Sequence, residues 1–173
     1  KTAANHNREI EKTIKKAEKE ALSSSDLRLC LKKCPNFIGI FASDELPSVH
    51  IVKYPVFLIA NIDTSLEPGS HWIAICLTKN RVELFDSLGF NPSLWKSYPV
   101  NLFKFLSSYS FTHRLSISPV LQPPDTYICG LYCIYFILYR KFLGFQQCCD
   151  KFSTNLTVNS SKLKKLLLHV FRK

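Results

Sequence analysis

Four residues have the types that hydrolysis by a cysteine nucleophile requires. Such chemistry needs a thiol, a base that takes its proton, a group that orients the base, and donors for the oxyanion formed on the attacked carbonyl. The candidates are Cys129 for the thiol, His71 for the base, Asp86 for the orienting group and Gln122 for the oxyanion donor. Each of them also has a simpler structural explanation.

Cys129 follows an irregular loop and precedes a strongly apolar segment, where the pattern predicts a helix over residues 131–145. Its sulfur would then lie at a helix N-terminus, where the positive end of the helix dipole favours a thiolate. The neighbouring Gly130 would let a substrate backbone pass close to the thiol. The alternative is a buried structural cysteine, which is common beside an apolar helix.

His71 and Asp86 lie at the ends of two neighbouring predicted strands, residues 71–77 and 81–86. With residues 78–80 as a three-residue loop, the strands form a hairpin in which residue 71 faces about residue 87. The carboxylate then arrives within one residue of the imidazole. This geometry favours a paired His71 and Asp86 over the alternative of an isolated surface histidine.

Gln122 stands seven residues before Cys129, in the loop that leads to it, and Pro123 and Pro124 stiffen that loop. Its side-chain amide and the backbone N–H of Cys129 could together bind an oxyanion. A solvated loop glutamine is the alternative.

The elements that must position these residues alternate between helical and strand-like patterns. Residues 1–23 are expected to form a basic helical extension or linker, in which residues 6–22 are a solvated helix rather than part of the core. Residues 24–173 are expected to form the compact domain, opening with a short helix over 27–33 that is capped from the cluster Ser23 to Asp26.

Further along, the pattern predicts strands at 37–41, 49–63 and 114–121 and helices at 91–109 and 160–171. The helix at 91–109 is expected to open at Asn91 and to turn these side chains inward: Leu94, Leu102, Phe103 and Leu106. Strands bracketed by early and late helices indicate an α+β layer architecture.

Composition excludes several classes of protein. The 173 residues, 46% of them hydrophobic and 21% charged, fit one globular domain. No apolar run approaches the roughly 20 residues that cross a bilayer, so we expect no membrane span.

Seven cysteines leave at least one thiol free or joined to another chain. Their spacing does not form standard zinc knuckles, so we expect no metal site. The sequence has no Met, which indicates a fragment, a processed product or a piece of a polyprotein. We expect a reducing, intracellular setting.

The net charge of +10 is concentrated in two segments. Residues 1–34 hold nine basic and five acidic side chains and residues 139–173 hold eight and one, whereas residues 35–138 hold six and seven. Basic surfaces attract nucleic acid, acidic lipid or acidic protein segments, although solubility alone also explains them. A non-enzymatic nucleic-acid-binding module is therefore an alternative, but the sequence lacks the aromatic and basic interleaving typical of one.

Three segments together resemble the adenovirus-type cysteine endopeptidases: GSHWIAIC (69–76), VELFDSLGF (82–90) and QPPDTYICGLYC (122–133). The segment NFIGIFASDELP (36–47) also resembles the part of that family that precedes its first strands. The similarity spans roughly Ser24 to Phe145. The SUMO- and ubiquitin-like-protein proteases share similar motifs, the same fold and the same catalytic order.

This resemblance implies Cys129 as nucleophile, His71 as general base and acid, Asp86 as orienter of the imidazole and Gln122 as oxyanion donor. It implies a central mixed β-sheet flanked by helices, with the nucleophile at the N-terminus of a central helix, so that residues 24–173 are a cysteine protease domain. By analogy, the substrates are viral or virus-like-element precursor proteins cleaved near small residues or glycine through a thioester acyl-enzyme. We expect a monomer that needs no cofactor for the chemistry, located in a virion or host nucleus if it is viral.

Two departures from the adenoviral pattern bear on subfamily and activation. The acidic position is Asp86, as in the SUMO-type proteases, whereas the adenoviral enzymes carry Glu, so a protease that deconjugates SUMO or ubiquitin-like proteins is the alternative. The adenoviral cysteine that joins an activating peptide corresponds by an ungapped count to Phe111, so a covalent peptide cofactor is not expected. DNA bound at the basic terminal segments, or a peptide held non-covalently, remains the candidate stimulator.

Overall fold

The computed structural model of the protein describes residues 3–46, 51, 53–89, 98–110 and 114–172. A five-stranded sheet with helices on both faces forms its framework. The helices are α1 (Ala3–Lys16), α2 (Ser24–Leu31), α3 (Val100–Ser110), α4 (Cys129–Arg140), α5 (Phe145–Cys149) and α6 (Asn159–Phe171), and a short 3-10 helix spans Leu156–Val158. The strands are β1 (Phe37–Phe41), β2 (Val56–Asn61), β3 (Trp72–Leu77), β4 (Arg81–Phe85) and β5 (Arg114–Ile117).

The strands lie in the sheet in their chain order. The central strands β2, β3 and β4 pair antiparallel, whereas β1 pairs parallel with β2 and β5 pairs parallel with β4. The sheet is therefore mixed, and the expected α+β class with a central mixed sheet is confirmed.

Alternating side chains of the central strands face two different helical layers. On β3, Ala74 and Cys76 pack in the core that contains α4, whereas Ile73 and Ile75 pack in the core that contains α3. All of these side chains are buried, because the sheet is covered on both faces.

The helix α4 lies at the centre of the larger core. Its residues from Cys129 to Leu138 are all buried, and the first charged side chain is Arg140 in the last turn. The Phe136 ring stacks on Phe85 of β4 with 4.5 Å between ring centroids. An apolar helix of this kind is stable only when it is enclosed on all sides, and α1, α2, α6 and the sheet enclose it.

A buried ion pair fixes the end of α4 to the sheet. Arg140 donates from Nε and Nη2 to the two carboxylate oxygens of Glu83 on β4, at 2.7 and 2.8 Å, and from Nη1 to the carbonyl of Leu143 at 3.1 Å. Glu83 has no exposed surface. Such a bidentate pair sets the orientation of helix against strand more than it adds net stability.

The expectation that the first helix is solvated is wrong. In α1 and just beyond it, Ile10, Ile14 and Ala17 are at most 2% exposed and belong to the same core as α4. The reason is that α6 presents Leu163 and Leu167 to this core and so covers the narrow apolar stripe, which the local sequence alone could not show. The domain division after residue 23 stays a prediction.

Other element predictions were confirmed in type but differ in extent. Ser23 caps α2 as expected, in a capping box with Asp26. The predicted helix 131–145 begins and ends earlier, as α4, and the strand predicted at 114–121 shortens to β5. Within the described part of the strand predicted at 49–63, only β2 is a strand, and residues 49, 50 and 52 lie outside the described residues. Asn91 and Leu94 lie outside the described residues. Phe103 was expected to face inward but is 41% exposed, while Phe105 is buried in its place.

The structure contains no helix long and apolar enough to span a membrane among the residues that it describes.

The burial of α1 leads to a stability prediction. We expect Ile14→Ala to lower the free energy of unfolding by about 2–5 kcal/mol, because the side chain is 2% exposed and the surrounding core cannot fully collapse into the space. Urea unfolding followed by circular dichroism measures the change. Lys15→Ala, at an exposed site on the same helix, is the control and should have little effect. Equal stability of the two variants would contradict the packing of α1.

Candidate active site

The β3–β4 hairpin brings His71 and Asp86 together, but in a register different from the expected one. Thr78 donates its N–H to the carbonyl of Arg81 at 2.9 Å, so the loop has two residues rather than three. Ala74 pairs with Phe85, and continuing that register places Asp86 opposite Ile73, diagonal to His71 and on the same face. The expected register would have sent the two side chains to opposite faces, because a shift of one residue reverses a strand's faces.

A tight turn directly after β4 holds the Asp86 carboxylate. The N–H of Gly89 donates to the carbonyl of Asp86 at 3.0 Å, and the N–H of Leu88 donates to Asp86 Oδ1 at 2.9 Å. Gly89 has φ +81°, and a Cβ there would lie 2.4 Å from the Val120 side chain, so the position favours glycine both conformationally and sterically. The sequence DSLG thus folds as an aspartate-capped turn that aims the carboxylate.

Asp86 is fully buried but well supplied with donors. His71 Nε2 lies 2.7 Å from Asp86 Oδ1, and the Tyr98 hydroxyl donates to Oδ2. Burial by itself would raise the pKa of Asp86, but the hydrogen bonds from His71, Tyr98 and the backbone of Leu88, with the charge of His71, outweigh it and lower the pKa below its ordinary value. The carboxylate is therefore ionised at neutral pH.

The His71 imidazole is 7% exposed and lies between Asp86 and Cys129. Burial would lower its pKa, but the hydrogen bonds to Asp86 and to the Cys129 thiol, with the negative charge of Asp86, raise the pKa to about 9. Because Nε2 is engaged with Asp86, Nδ1 is the nitrogen that faces the thiol. The arrangement favours a protonated imidazole beside the sulfur at neutral pH.

Cys129 is the first residue of α4 and is 4% exposed. The expected place of the cysteine at the N-terminus of a central helix is thereby confirmed. Gly130 is buried in the first turn of α4. A Cβ on Gly130 would lie 3.2 Å from both Leu22 and Leu27, so the glycine makes room for the core beneath α4. Its expected place beside a substrate backbone stays a prediction.

Gln122 is 1% exposed, so the solvated alternative is wrong. Its Oε1 accepts a hydrogen bond from Ser87 Oγ at 2.7 Å, and its Nε2 donates to the carbonyl of Thr126 at 2.8 Å. The carbonyl of Leu121, just before it, accepts from the buried Asn159 Nδ2 of α6 at 2.9 Å. The loop that leads to Cys129 is therefore fixed on both sides.

A cavity of about 310 Å³ adjoins the segment that carries His71. Asn61, Gly69 and Trp72 line it near His71, and Arg28 and Glu45 line it with charged groups. Trp72 is held in place because its indole N–H donates to the carbonyl of Leu22 at 2.7 Å. None of His71, Asp86, Gln122 and Cys129 is among the residues that line this polar cavity.

Three side chains of the site carry no recognisable signal in the sequence. Tyr98 donates to Asp86 although it lies twelve residues further along the chain. Ser118 ties β4 to the segment after β5, because its Oγ donates to the carbonyl of Asp86 at 2.8 Å and accepts from the N–H of Asp86 at 2.9 Å. Ser87 bonds to Gln122 across 35 positions. Such contacts depend on tertiary structure, which local sequence patterns do not show.

No cluster of three or more potential metal ligands occurs in the part of the chain that the structure describes. All seven cysteines are free thiols. Phe111, the position aligned with the peptide-linking cysteine of the adenoviral enzymes, lies outside the described residues.

Comparison with known proteins gives a family match and several similar folds. The family model described as adenovirus endoprotease matches residues 37–166. A solved structure of the SUMO protease Ulp1, with its catalytic cysteine oxidized to a sulfinic acid, is similar at 16% identity, covering 96% of this chain and 93% of that chain, with a TM-score of 0.52. The sulfonic acid form of that protein gives 16% identity, 96% and 94% coverage and a TM-score of 0.51. These likenesses establish the fold.

A third solved structure, the ASFV pS273R protease, gives 16% identity, coverage of 89% of this chain and 69% of that chain, and a TM-score of 0.47. A search of curated protein sequences finds no significant match.

The geometry of His71 predicts an unusually basic imidazole. In NMR spectra of a histidine-labelled sample, the His71 signal is identified as the one that is lost in His71→Gln. In the wild type we expect that signal to titrate at about pH 9. Asp86→Asn should move that titration to lower pH, because burial lowers the pKa of His71 and the negative charge of Asp86, which raises it, is then absent. Asp150→Asn, at an exposed site, is the matched control.

The same shift predicts a pH dependence of stability. Since the folded pKa lies above the ordinary value of 6.5, the stabilising contribution of His71 is fully present below pH 6.5 and is lost as the pH rises through about 9. A wild-type imidazole that titrates near 6.5 would contradict the described pairing.

Proposed function

The chain belongs to the adenovirus endoprotease family of cysteine proteases, and from that premise we propose that Cys129, His71, Asp86 and Gln122 are its catalytic residues. The observation that carries the proposal is the buried His71 imidazole, with Asp86 on one nitrogen and the Cys129 thiol on the other. A thiol, a base and a carboxylate in this order form the arrangement that nucleophilic acyl transfer requires.

Acylation begins from the protonated His71 imidazole, whose Nδ1 has already taken the proton of the Cys129 thiol. The thiolate attacks the scissile carbonyl, and the negative charge moves to the carbonyl oxygen. The backbone N–H of Cys129 and an N–H of Gln122 stabilise that oxyanion. Collapse of the tetrahedral intermediate breaks the C–N bond, and the leaving amine takes the proton from the imidazolium, which leaves a thioester on Cys129.

Deacylation reverses the roles of these groups. His71 takes a proton from water, the resulting hydroxide attacks the thioester, and the sulfur leaves as thiolate. Asp86 stays ionised throughout, because its pKa is lowered, and it holds the imidazole so that Nδ1 faces the sulfur and the reacting carbon.

We propose viral or virus-like-element precursor proteins as the substrates, with cleavage next to glycine or other small residues. Cys129 and His71 are only 4% and 7% exposed, so the scissile carbonyl has to approach very closely. Large side chains at the cleavage site would obstruct that approach, which favours small residues there.

A deconjugating protease for SUMO or ubiquitin-like proteins is the second candidate function. It is favoured by the aspartate at position 86, within the segment FDSLG, and the chain shares its fold with the SUMO protease Ulp1. Both candidates use the same catalytic residues and differ only in the protein that presents the glycine.

Cleavage assays on two substrates separate the candidates. One is a glycine-containing precursor peptide, and the other is a ubiquitin-like protein fused to a reporter through its C-terminal glycines. We expect faster turnover of the peptide. Cys129→Ala should abolish cleavage of either substrate, whereas Cys34→Ala, at a half-buried cysteine away from the site, should retain it. Undiminished cleavage by Cys129→Ala would refute the catalytic assignment.

We also propose that DNA stimulates the enzyme through a basic surface formed by α1 and α6. The two helices pack together and so join the two basic segments of the sequence. Exposed basic side chains lie on each helix: Arg8, Lys12 and Lys15 on α1, and Lys162 and Lys165 on α6. Two ion pairs, Glu18 with Lys164 and Glu11 with Arg172, neutralise only part of this charge.

The salt dependence of DNA binding tests this surface. Each lost phosphate contact should reduce the slope of log affinity against log salt by about 1. The double variant Lys162→Gln with Lys165→Gln should therefore bind duplex DNA more weakly and with a shallower slope than Lys53→Gln, which alters an exposed lysine of the near-neutral middle segment. A proteolytic rate that ignores both added DNA and salt would exclude the stimulation.

A further inference from the structure

Asp86 and Ser87, the two residues that follow β4, contact the two halves of the candidate site. Asp86 bonds to the imidazole of His71, and Ser87 bonds to the side chain of Gln122. The two contacts diverge from consecutive residues of one rigid strand end. We propose that Ser87 is a positioning residue that orients the Gln122 amide for the oxyanion, a role that rests on the proposed function and is separable from that of Asp86.

The orientation of the amide follows from the chemistry of its neighbours. The carbonyl of Thr126 can only accept a hydrogen bond, so the amide nitrogen of Gln122 must face it, as observed at 2.8 Å. Oε1 then faces Ser87, whose hydroxyl has a proton to donate and does so at 2.7 Å. The planar amide is thus held at both of its polar ends.

Only one donor of the amide remains for another acceptor. An amide nitrogen carries two N–H groups, and one of them is used by Thr126. The second forms no hydrogen bond with the residues that the structure describes. It is therefore available to a bound oxyanion, and Ser87 and Thr126 together fix its direction.

The surroundings make Ser87 suitable for this role. Ser87 and Gln122 are each 1% exposed, so water does not compete for their hydrogen bond. The carbonyl of Ser87 also accepts the N–H groups of Leu121 and Gln122, at 2.8 and 2.9 Å. Both the backbone and the side chain of Gln122 are consequently held by this one serine.

Removal of the hydroxyl should loosen the amide but leave the imidazole in place. In Ser87→Ala, Oε1 has no donor, and a buried carbonyl without a partner favours rotation of the side chain away from its position. The kcat should fall about 10- to 100-fold with little change in KM, since loss of an oxyanion donor typically costs about 10²–10³ in rate. Ser87→Thr retains the hydroxyl and should recover part of the kcat.

Activity is measured with a fluorogenic peptide that has Gly-Gly before the scissile bond. Two inhibitors then distinguish a loss of oxyanion stabilisation from general damage to the active site. A Gly-Gly peptide aldehyde forms a tetrahedral adduct that carries the oxyanion position, so Ser87→Ala should bind it at least 10-fold more weakly. Alkylation of Cys129 by iodoacetamide forms no oxyanion, so its rate and pH profile should equal those of the wild type. Asp86→Asn should show the opposite pattern: the aldehyde affinity is retained, and the pH profile of alkylation changes.

Ser43→Ala is the matched control. Ser43 is also fully buried, but its hydroxyl has no partner among the residues that the structure describes, so kcat and aldehyde affinity should both be retained. Equal aldehyde affinity in Ser87→Ala and wild type, or a parallel loss of alkylation rate, would overturn the positioning role. Retention of proteolysis by Cys129→Ala would instead overturn the proposed function.

Discussion

The burial of the Asp86 carboxylate is the constraint on which the site depends. A charge with no exposed surface is tolerated only if hydrogen bonds and an opposite charge replace its water. Here the imidazole of His71, the hydroxyl of Tyr98 and the backbone of Leu88 supply them. Since each donor belongs to a different part of the chain, the need to satisfy one carboxylate also fixes the hairpin, the turn after β4 and the segment before α3.

The opposite end of the framework is fixed by a second buried carboxylate. Glu83 lies on β4, three residues before Asp86, which directly follows that strand. Glu83 pairs with Arg140 at the far end of α4. Glu83 of β4 thus holds the last turn of α4. Asp86, directly after β4, holds the base His71, which acts on Cys129 at the start of α4. The distance between thiol and imidazole is thereby set by two rigid elements with buried polar contacts, and not by mobile loops.

The family resemblance of the motifs implied the mixed sheet and the place of Cys129 at the start of a central helix, and both are confirmed. It also implied the four proposed catalytic residues, whose roles stay a prediction. The hairpin register could not be predicted correctly, because the choice between two and three loop residues depends on whether Thr78 pairs with Arg81. The core role of α1 was missed because its stripe is narrow and its cover is α6, more than 140 positions away. Tyr98 and Asn159 were missed for the same reason, since their partners are set by tertiary contacts alone.

Asn159 has a consequence for the order in which the molecule is completed during synthesis. Its amide donates to the carbonyl of Leu121, beside Gln122, and α6, which begins at Asn159, also covers α1 beneath α4. During synthesis, α6 emerges from the ribosome after every proposed catalytic residue. Until it emerges, the loop before Cys129 lacks the buried hydrogen bond from Asn159. A nascent chain would therefore carry the complete catalytic set without the packing that holds it, and the full arrangement forms only with the later helix in place.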